Sequence, residues 1–280
     1  MTSTQLVTPS GVGGLLREWR QRRRLSQLDL ALAAETSARH VSYVETGRAQ
    51  PSRAMILRLS DTLDVPLRER NTLLMAAGYA PAYRESSLDD AALSAVRSAL
   101  DTMLAAHEPY PAVVVDRLWN VVTGNRAMGI LTLGVPDHVI APAPNVYRLV
   151  LHPQGLTARL TSPNRVRELF LDRLARQVGA TGDPQLRALY DEVTAYPVPD
   201  ALDDDEPDQP SPFQFPIRVR TPAGTLSMFS TMATFGAPAD VTLSELAIEL
   251  FYPLDEFTAT VLRSADLPDT AAIMRRASPR

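Results

Sequence analysis

The 280-residue chain contains no cysteine and no lysine. The first absence excludes disulfides, thiolate nucleophiles and Cys-ligated zinc, and it suits a cytoplasmic protein. The second excludes a phosphate-cradling loop of the kind whose lysine reaches a nucleotide. All 28 basic residues are therefore arginine. No apolar run approaches the roughly 18 residues that cross a bilayer. Met1 to Ser10 is polar and lacks an apolar signal core. No Gly-x-Ser-x-Gly elbow appears. The four histidines, His40, His107, His138 and His152, lack the spacing of zinc ligands. Neither a catalytic centre nor a cofactor is expected.

What is present is an uneven charge. The chain carries a net −4, yet Gly11 to Arg70 holds eleven arginines against seven acids, an excess of +4 that leaves −8 for the rest. A basic head on an acidic body suits a chain with one polyanion-binding end. The length predicts about two domains.

The text from 11 to 80 reads as five short helices. Leu15, Leu16 and Trp19 recur at helical spacing in the first. Ser26 caps the second, Ser37 the third, and Pro51-Ser52 opens the fourth. Gly47 ends the third, as a residue tolerant of left-handed backbone should. Gly11-Val12-Gly13-Gly14 opens a helix and follows no strand, so it is no dinucleotide loop.

Two of these helices form a unit with a mechanical logic: Ser26-Gln27-x-x-Leu30-Ala31, then Thr36-Ser37, then Val41-x-x-Val44-Glu45-x-Gly47-Arg48-x-x-Pro51-Ser52. The first would cross a DNA backbone, with Gln27 at its N-terminus facing a phosphate. The second would lie in the major groove. Its outward positions are Ser37, Ala38, Arg39, Ser42 and Tyr43, with His40 at the margin. Arg39 is the candidate for a specific contact, because a guanidinium pairs bidentately with guanine. Arg48 and Arg53 are placed for phosphates, Arg53 alternatively for a minor groove. This stretch resembles the Xre family, the Cro and phage-repressor type of helix-turn-helix. The resemblance implies that an arginine of the first helix, here Arg20, pairs with the glutamate near the end of the recognition helix, here Glu45, as a structural lock.

Residues 86–106 read as a connecting helix whose start is marked by Ser87, Asp89 and Asp90. The pattern then changes over 107–265. Two strands are expected near 112–116 and 118–122, helices at 125–133, 145–151, 164–179 and 184–196, and a hairpin around Pro222-Ala223-Gly224. The text from Glu249 to Leu262 allows a helix or a strand followed by a helix. The tails before 11 and after about 264 read as disordered. Asp203-Asp204-Asp205-Glu206 offers a divalent-cation reading beside that of a solvated acidic loop. The fold class is α+β: an all-α five-helix head, then a PAS-like antiparallel sheet domain with helices, which can enclose an apolar pocket.

The runs Pro111 to Val121, Asn125-Arg126-Ala127, Asn145 to Leu149 and Leu151-His152-Pro153 resemble the MmyB-like ligand-binding domain. That resemblance implies a small hydrophobic, fatty-acid-like ligand. The acidic text at 203–208 departs from the family pattern. Candidate pocket residues are Trp119, Met128, Tyr147, Phe170, Phe213, Phe215, Met228, Phe229, Met232 and Phe235, each of which can equally fill a core. Arg148 and His152 are candidates to neutralise an acid head group, or else surface or capping residues. Together these readings describe a homodimeric transcription regulator with a double-stranded operator and a small ligand as partners, and the family resemblance implies a repressor rather than an activator. The rivals are an enzyme with a DNA-binding head and an antitoxin-like regulator that binds another protein.

Overall fold

The computed structural model describes residues 11–141, 143–197 and 216–264. The chain divides into two compact units. The first holds the residues up to Ser86 together with Ala237–Ser244, and the second holds Ser87–Gly236 and the residues from Glu245 on. A single contiguous stretch at 107–265 is thus interrupted, because 237–244 belongs with the head.

The head contains α1 (Val12–Arg22), α2 (Gln27–Ala33), α3 (Ala38–Glu45), α4 (Arg53–Thr62) and α5 (Leu67–Ala76). Local chemistry sets their starts. Ser26 accepts from the Asp29 amide at 3.1 Å while Asp29 accepts from the Ser26 amide at 2.9 Å, a reciprocal capping box. Ser37 and Ser52 cap α3 and α4 by accepting from the amides of His40 and Met55. Gly47 has φ +72° just past α3, a backbone that favours glycine. Leu16, Trp19, Leu30, Val41, Val44, Ile56, Leu59 and Leu74 fill the core between the helices. Gly13 answers a packing need: a Cβ there would stand 2.2 Å from the Val44 carbonyl oxygen. α1 and α3 touch through backbone at that point. Segment 237–244 contributes α12 (Val241–Ser244), which packs on α5. Its Val241 amide donates to Arg84 O at 2.8 Å and its Thr242 hydroxyl to Ser86 O at 2.7 Å.

The second unit begins later than the connecting-helix text suggests. A short 3₁₀ turn at Ala91–Leu93 leads into α6 (Ser94–Ala106). The acids expected inside its first turn act before it, and the Asp90 carboxylate accepts from the Ser87 amide. Then come β1 (Ala112–Val115), β2 (Val121–Gly124), α7 (Gly129–Thr132), α8 (Asp137–Ile140), α9 (Val146–Leu151), α10 (Pro163–Thr181) and α11 (Pro184–Thr194). The chain closes with β3 (Ile217–Thr221), β4 (Gly224–Thr234), β5 (Ala247–Pro253) and α13 (Glu256–Ser264). The five strands form one antiparallel sheet in the order β2-β1-β5-β4-β3. Glu249–Leu262 thus resolves as strand then helix.

α10 buries Val166, Phe170, Leu174 and Val178, four residues at i, i+4 spacing, into the core of this unit. Each such side chain, fully buried, contributes about 1.5–3 kcal/mol. β1 is buried along its whole length, as a strand between two others should be. Among the described residues no helix is long and apolar enough to cross a membrane.

Candidate functional sites: an exposed recognition helix and a buried cavity

The first site is the outer face of α3. Val41 and Val44 are buried, and they orient the helix. Ser37 and Arg39 are exposed, while Ala38, His40, Ser42 and Tyr43 are half-buried on the same outer surface. Arg39 lies along Tyr43, one helical turn on. Its Nε donates to the phenol oxygen at 3.0 Å, and its guanidinium stands 5.2 Å from the ring centroid. Arg48 and Arg53 follow, both exposed. The site therefore offers one planar donor on a helix and two cations beside it.

Beneath this face, Arg20 Nε donates to Glu45 Oε1 at 2.6 Å and Nη2 to Oε2 at 3.0 Å. This is the pair that the resemblance implies. Burial disfavours the Glu45 charge, but Arg20 and Gln27 outweigh it and hold the carboxyl below its ordinary value. Gln27 departs from its expected phosphate-facing role: its amide donates to Glu45 Oε2 at 2.8 Å. That side chain belongs to the lock.

The second site is a cavity in the second unit, walled by β1, β2, α7, α9, α10, β3 and β5. It holds about 660 Å³ of unfilled space, counted to the solvent at its mouth. An apolar cavity of this kind suits a hydrophobic ligand. Met128 and Phe170 line it together with Val113, Val146, Ile217 and Phe251. Glu249 is the one ionisable side chain among its lining residues.

The other sequence candidates lie elsewhere. Trp119 and Tyr147 are buried beside the cavity, in an edge-on series in which Tyr147 stands 5.2 Å from Trp119 and 5.4 Å from Phe170. Trp119 donates to Gln177 Oε1 at 2.7 Å. The Tyr147 hydroxyl is buried with no hydrogen-bond partner, and burial raises its pKa. Met228 is buried in the core, whereas Phe229 points to the other side of β4 and stacks on Tyr252 at 5.2 Å. Met232 is 38% exposed. Phe235 is half-buried beyond the end of β4. Phe213, Phe215 and the acidic run at 203–206 lie outside the described residues.

The two expected head-group cations are not at the cavity. Arg148 forms a bidentate pair with Glu192, both bonds at 2.7 Å, and Glu192 also accepts from the Tyr196 hydroxyl. His152 packs edge-on against His138 and Tyr196. Burial, then the neighbouring His138, lowers its pKa, so it is a poor counter-charge for an anion.

Sequence reasoning missed Glu249. Ala247, Glu249 and Phe251 alternate onto the inner face of β5, and the glutamate is 4% exposed. Its Oε1 accepts from the Ser230 hydroxyl at 2.8 Å. Among the described residues, no group of three or more potential ligands converges on a metal position.

Comparison with known proteins identifies both parts of the chain. Residues 12–73 match a helix-turn-helix domain, and residues 96–265 match the MmyB-like transcription regulator ligand binding domain. No curated protein matches. One solved structure, "Structure of an RNA-binding Light-Oxygen-Voltage Receptor", is similar at 14% identity over 91% of this chain and 61% of that one, with a TM-score of 0.24. The chain thus spans about three fifths of that receptor's length, and so low a TM-score carries no argument. The domain match covers more than half of the residues, and the chain belongs to the family of transcription regulators in which a helix-turn-helix head is joined to an MmyB-like ligand-binding domain.

Proposed function

We propose that this chain is a homodimeric, sequence-specific repressor of Xre type in the cytoplasm, controlled by a small hydrophobic ligand. The observation that supports it most is α3: a helix capped by Ser37, locked underneath by Arg20 and Glu45, with Arg39 exposed on its outer face. Such a helix fits the major groove, where Arg39 would pair with guanine O6 and N7 while Arg48 and Arg53 meet phosphates. Ser37, Ala38, His40, Ser42 and Tyr43 complete the reading surface. One recognition helix covers about half of an operator, so a two-fold dimer on a palindromic site is the economical arrangement. Repression is carried over from the resemblance.

The ligand reading is supported by the apolar cavity, whose aliphatic and aromatic lining suits the fatty-acid-like body that the resemblance implies. A ligand acts only by binding one arrangement of the protein better than another. β5 lines the cavity, and the chain just before it is the 237–244 segment that belongs to the head. A shift of β5 therefore has a covalent path to the first unit.

The test is selection from a random duplex library with the full chain, followed by titration of the selected and scrambled duplexes at physiological salt. The expected outcome is an affinity for the selected site about a thousandfold or more above the scrambled one. Equal affinity for both duplexes overturns the reading.

A further inference from the structure

Taking the cavity as the ligand site, as proposed above, we propose that its ligand is an uncharged apolar molecule whose carbonyl or hydroxyl oxygen is held by Glu249. A free carboxylate is excluded.

Glu249 is the one ionisable side chain of the cavity wall. It lies on the inner face of β5, opposite Val113 of β1, in a wall otherwise made of aliphatic and aromatic side chains. An ionised carboxylate in such a place needs a cation or several donors. It has one donor, the Ser230 hydroxyl on Oε1. Oε2 has no hydrogen-bond partner among the described residues. Arg173 is the cation whose field reaches it, and that guanidinium is stacked over Trp119 at 4.3 Å. Burial outweighs both influences and favours the neutral acid. A neutral carboxyl whose Oε1 already accepts from Ser230 carries its proton on Oε2, and that O–H is a donor in search of an acceptor.

A second polar group stands nearby with unused capacity. The Tyr147 hydroxyl is wholly buried, unpartnered and within the electrostatic reach of Glu249. Native interiors rarely leave such groups unmet. An ester, lactone, ketone, amide or alcohol oxygen would satisfy the Glu249 donor at little desolvation cost.

A carboxylate would lose its hydration beside another acid, with no lining cation to replace it. Arg148 is engaged by Glu192. Arg159 is held by the backbone carbonyls of Ile130 and Leu131.

The experiment compares methyl decanoate with decanoate by isothermal titration of the full chain at pH 7.5, below the aggregation threshold of each. The ester is expected to bind at least tenfold more tightly. Glu249→Gln keeps the shape and a donor, so it should retain both the ester and the preference over decanoate, whereas Glu249→Leu removes the donor and should lose ester affinity at least tenfold. Decanoate binding the native protein as well as the ester overturns the head-group assignment and leaves the ligand-site reading intact. Ester affinity unchanged in Glu249→Leu overturns the role of Glu249. If neither compound binds, the cavity is not an apolar ligand site and both readings fall. The native comparison needs no variant, so a poorly folded Glu249→Leu cannot shield the proposal.

Discussion

Arg20 meets Glu45 through two parallel bonds, Nε to Oε1 at 2.6 Å and Nη2 to Oε2 at 3.0 Å, and so ties α1 to the last turn of the recognition helix. The Glu45 side chain is 2% exposed and that of Arg20 11%. Removing one partner leaves the other charged and buried. Glu45→Ala should therefore destabilise the head by about 3 kcal/mol. Arg20→Lys should recover only part of the loss incurred by Arg20→Ala, because an ammonium lacks the planar fork. Because the folded carboxyl is held below its ordinary value, its contribution is complete above the ordinary carboxylate range. It disappears as pH falls through the lowered folded value. Hydrogen-exchange protection of the α3 amides, measured in native protein and Glu45→Ala across that range, checks both the size and the sign.

Gly13→Ala tests the backbone contact between α1 and α3. The new methyl would stand 2.2 Å from the Val44 carbonyl oxygen and about 3 Å from that of Glu45, so the helices must separate. The expected cost is about 1–3 kcal/mol, read in the urea midpoint of the head. Gly179→Ala is the control: it sits inside α10, and a methyl there would meet nothing within 4 Å. That change should stabilise by about 0.5–1 kcal/mol.

Arg39 and Arg48 should separate specificity from affinity. Arg39→Ala should cost about 1–3 kcal/mol on the operator and relax the preference at one base pair. Arg48→Ala should weaken binding to every duplex alike and reduce the salt slope by about one. Titration of both variants against operator and random DNA at several salt concentrations decides. Equal losses on the two duplexes for both variants would contradict the division of roles.

Arg148→Ala should leave ligand affinity unchanged, because the guanidinium is spent on Glu192 and does not line the cavity. Both partners are more than a third exposed, at 41% and 38%, so the stability loss should stay within about 1 kcal/mol. A tenfold loss of methyl decanoate affinity in this variant would return Arg148 to the binding site.

The head was legible because its signals are local. Ser26, Ser37 and Ser52 each cap the helix that follows, and Gly47 takes the left-handed backbone after α3. Gln27 misled because the N-terminus of a helix faces both a phosphate and, here, a buried glutamate from α3. The cavity was less legible because seven elements spread along the sequence build it. Aromatic and methionine content pointed to both Met228 and Phe229, yet neighbours in a strand face opposite sides, and only Met228 is in the core. Glu249 was hidden by the same rule: a charged residue in an alternating strand reads as outward-facing, whereas this one is buried. The 237–244 segment could not be assigned to the head from sequence, because its hydrogen bonds reach back more than 150 residues to Arg84 and Ser86.

The most direct test of the central claim, that α3 reads the major groove as one of a symmetric pair, is guanine N7 methylation interference on the selected operator. The account expects methylation to block binding at two symmetric clusters about 10 base pairs apart or a multiple of that, with the blockade at one guanine per cluster lost in Arg39→Ala. Binding indifferent to N7 methylation throughout the site would contradict it.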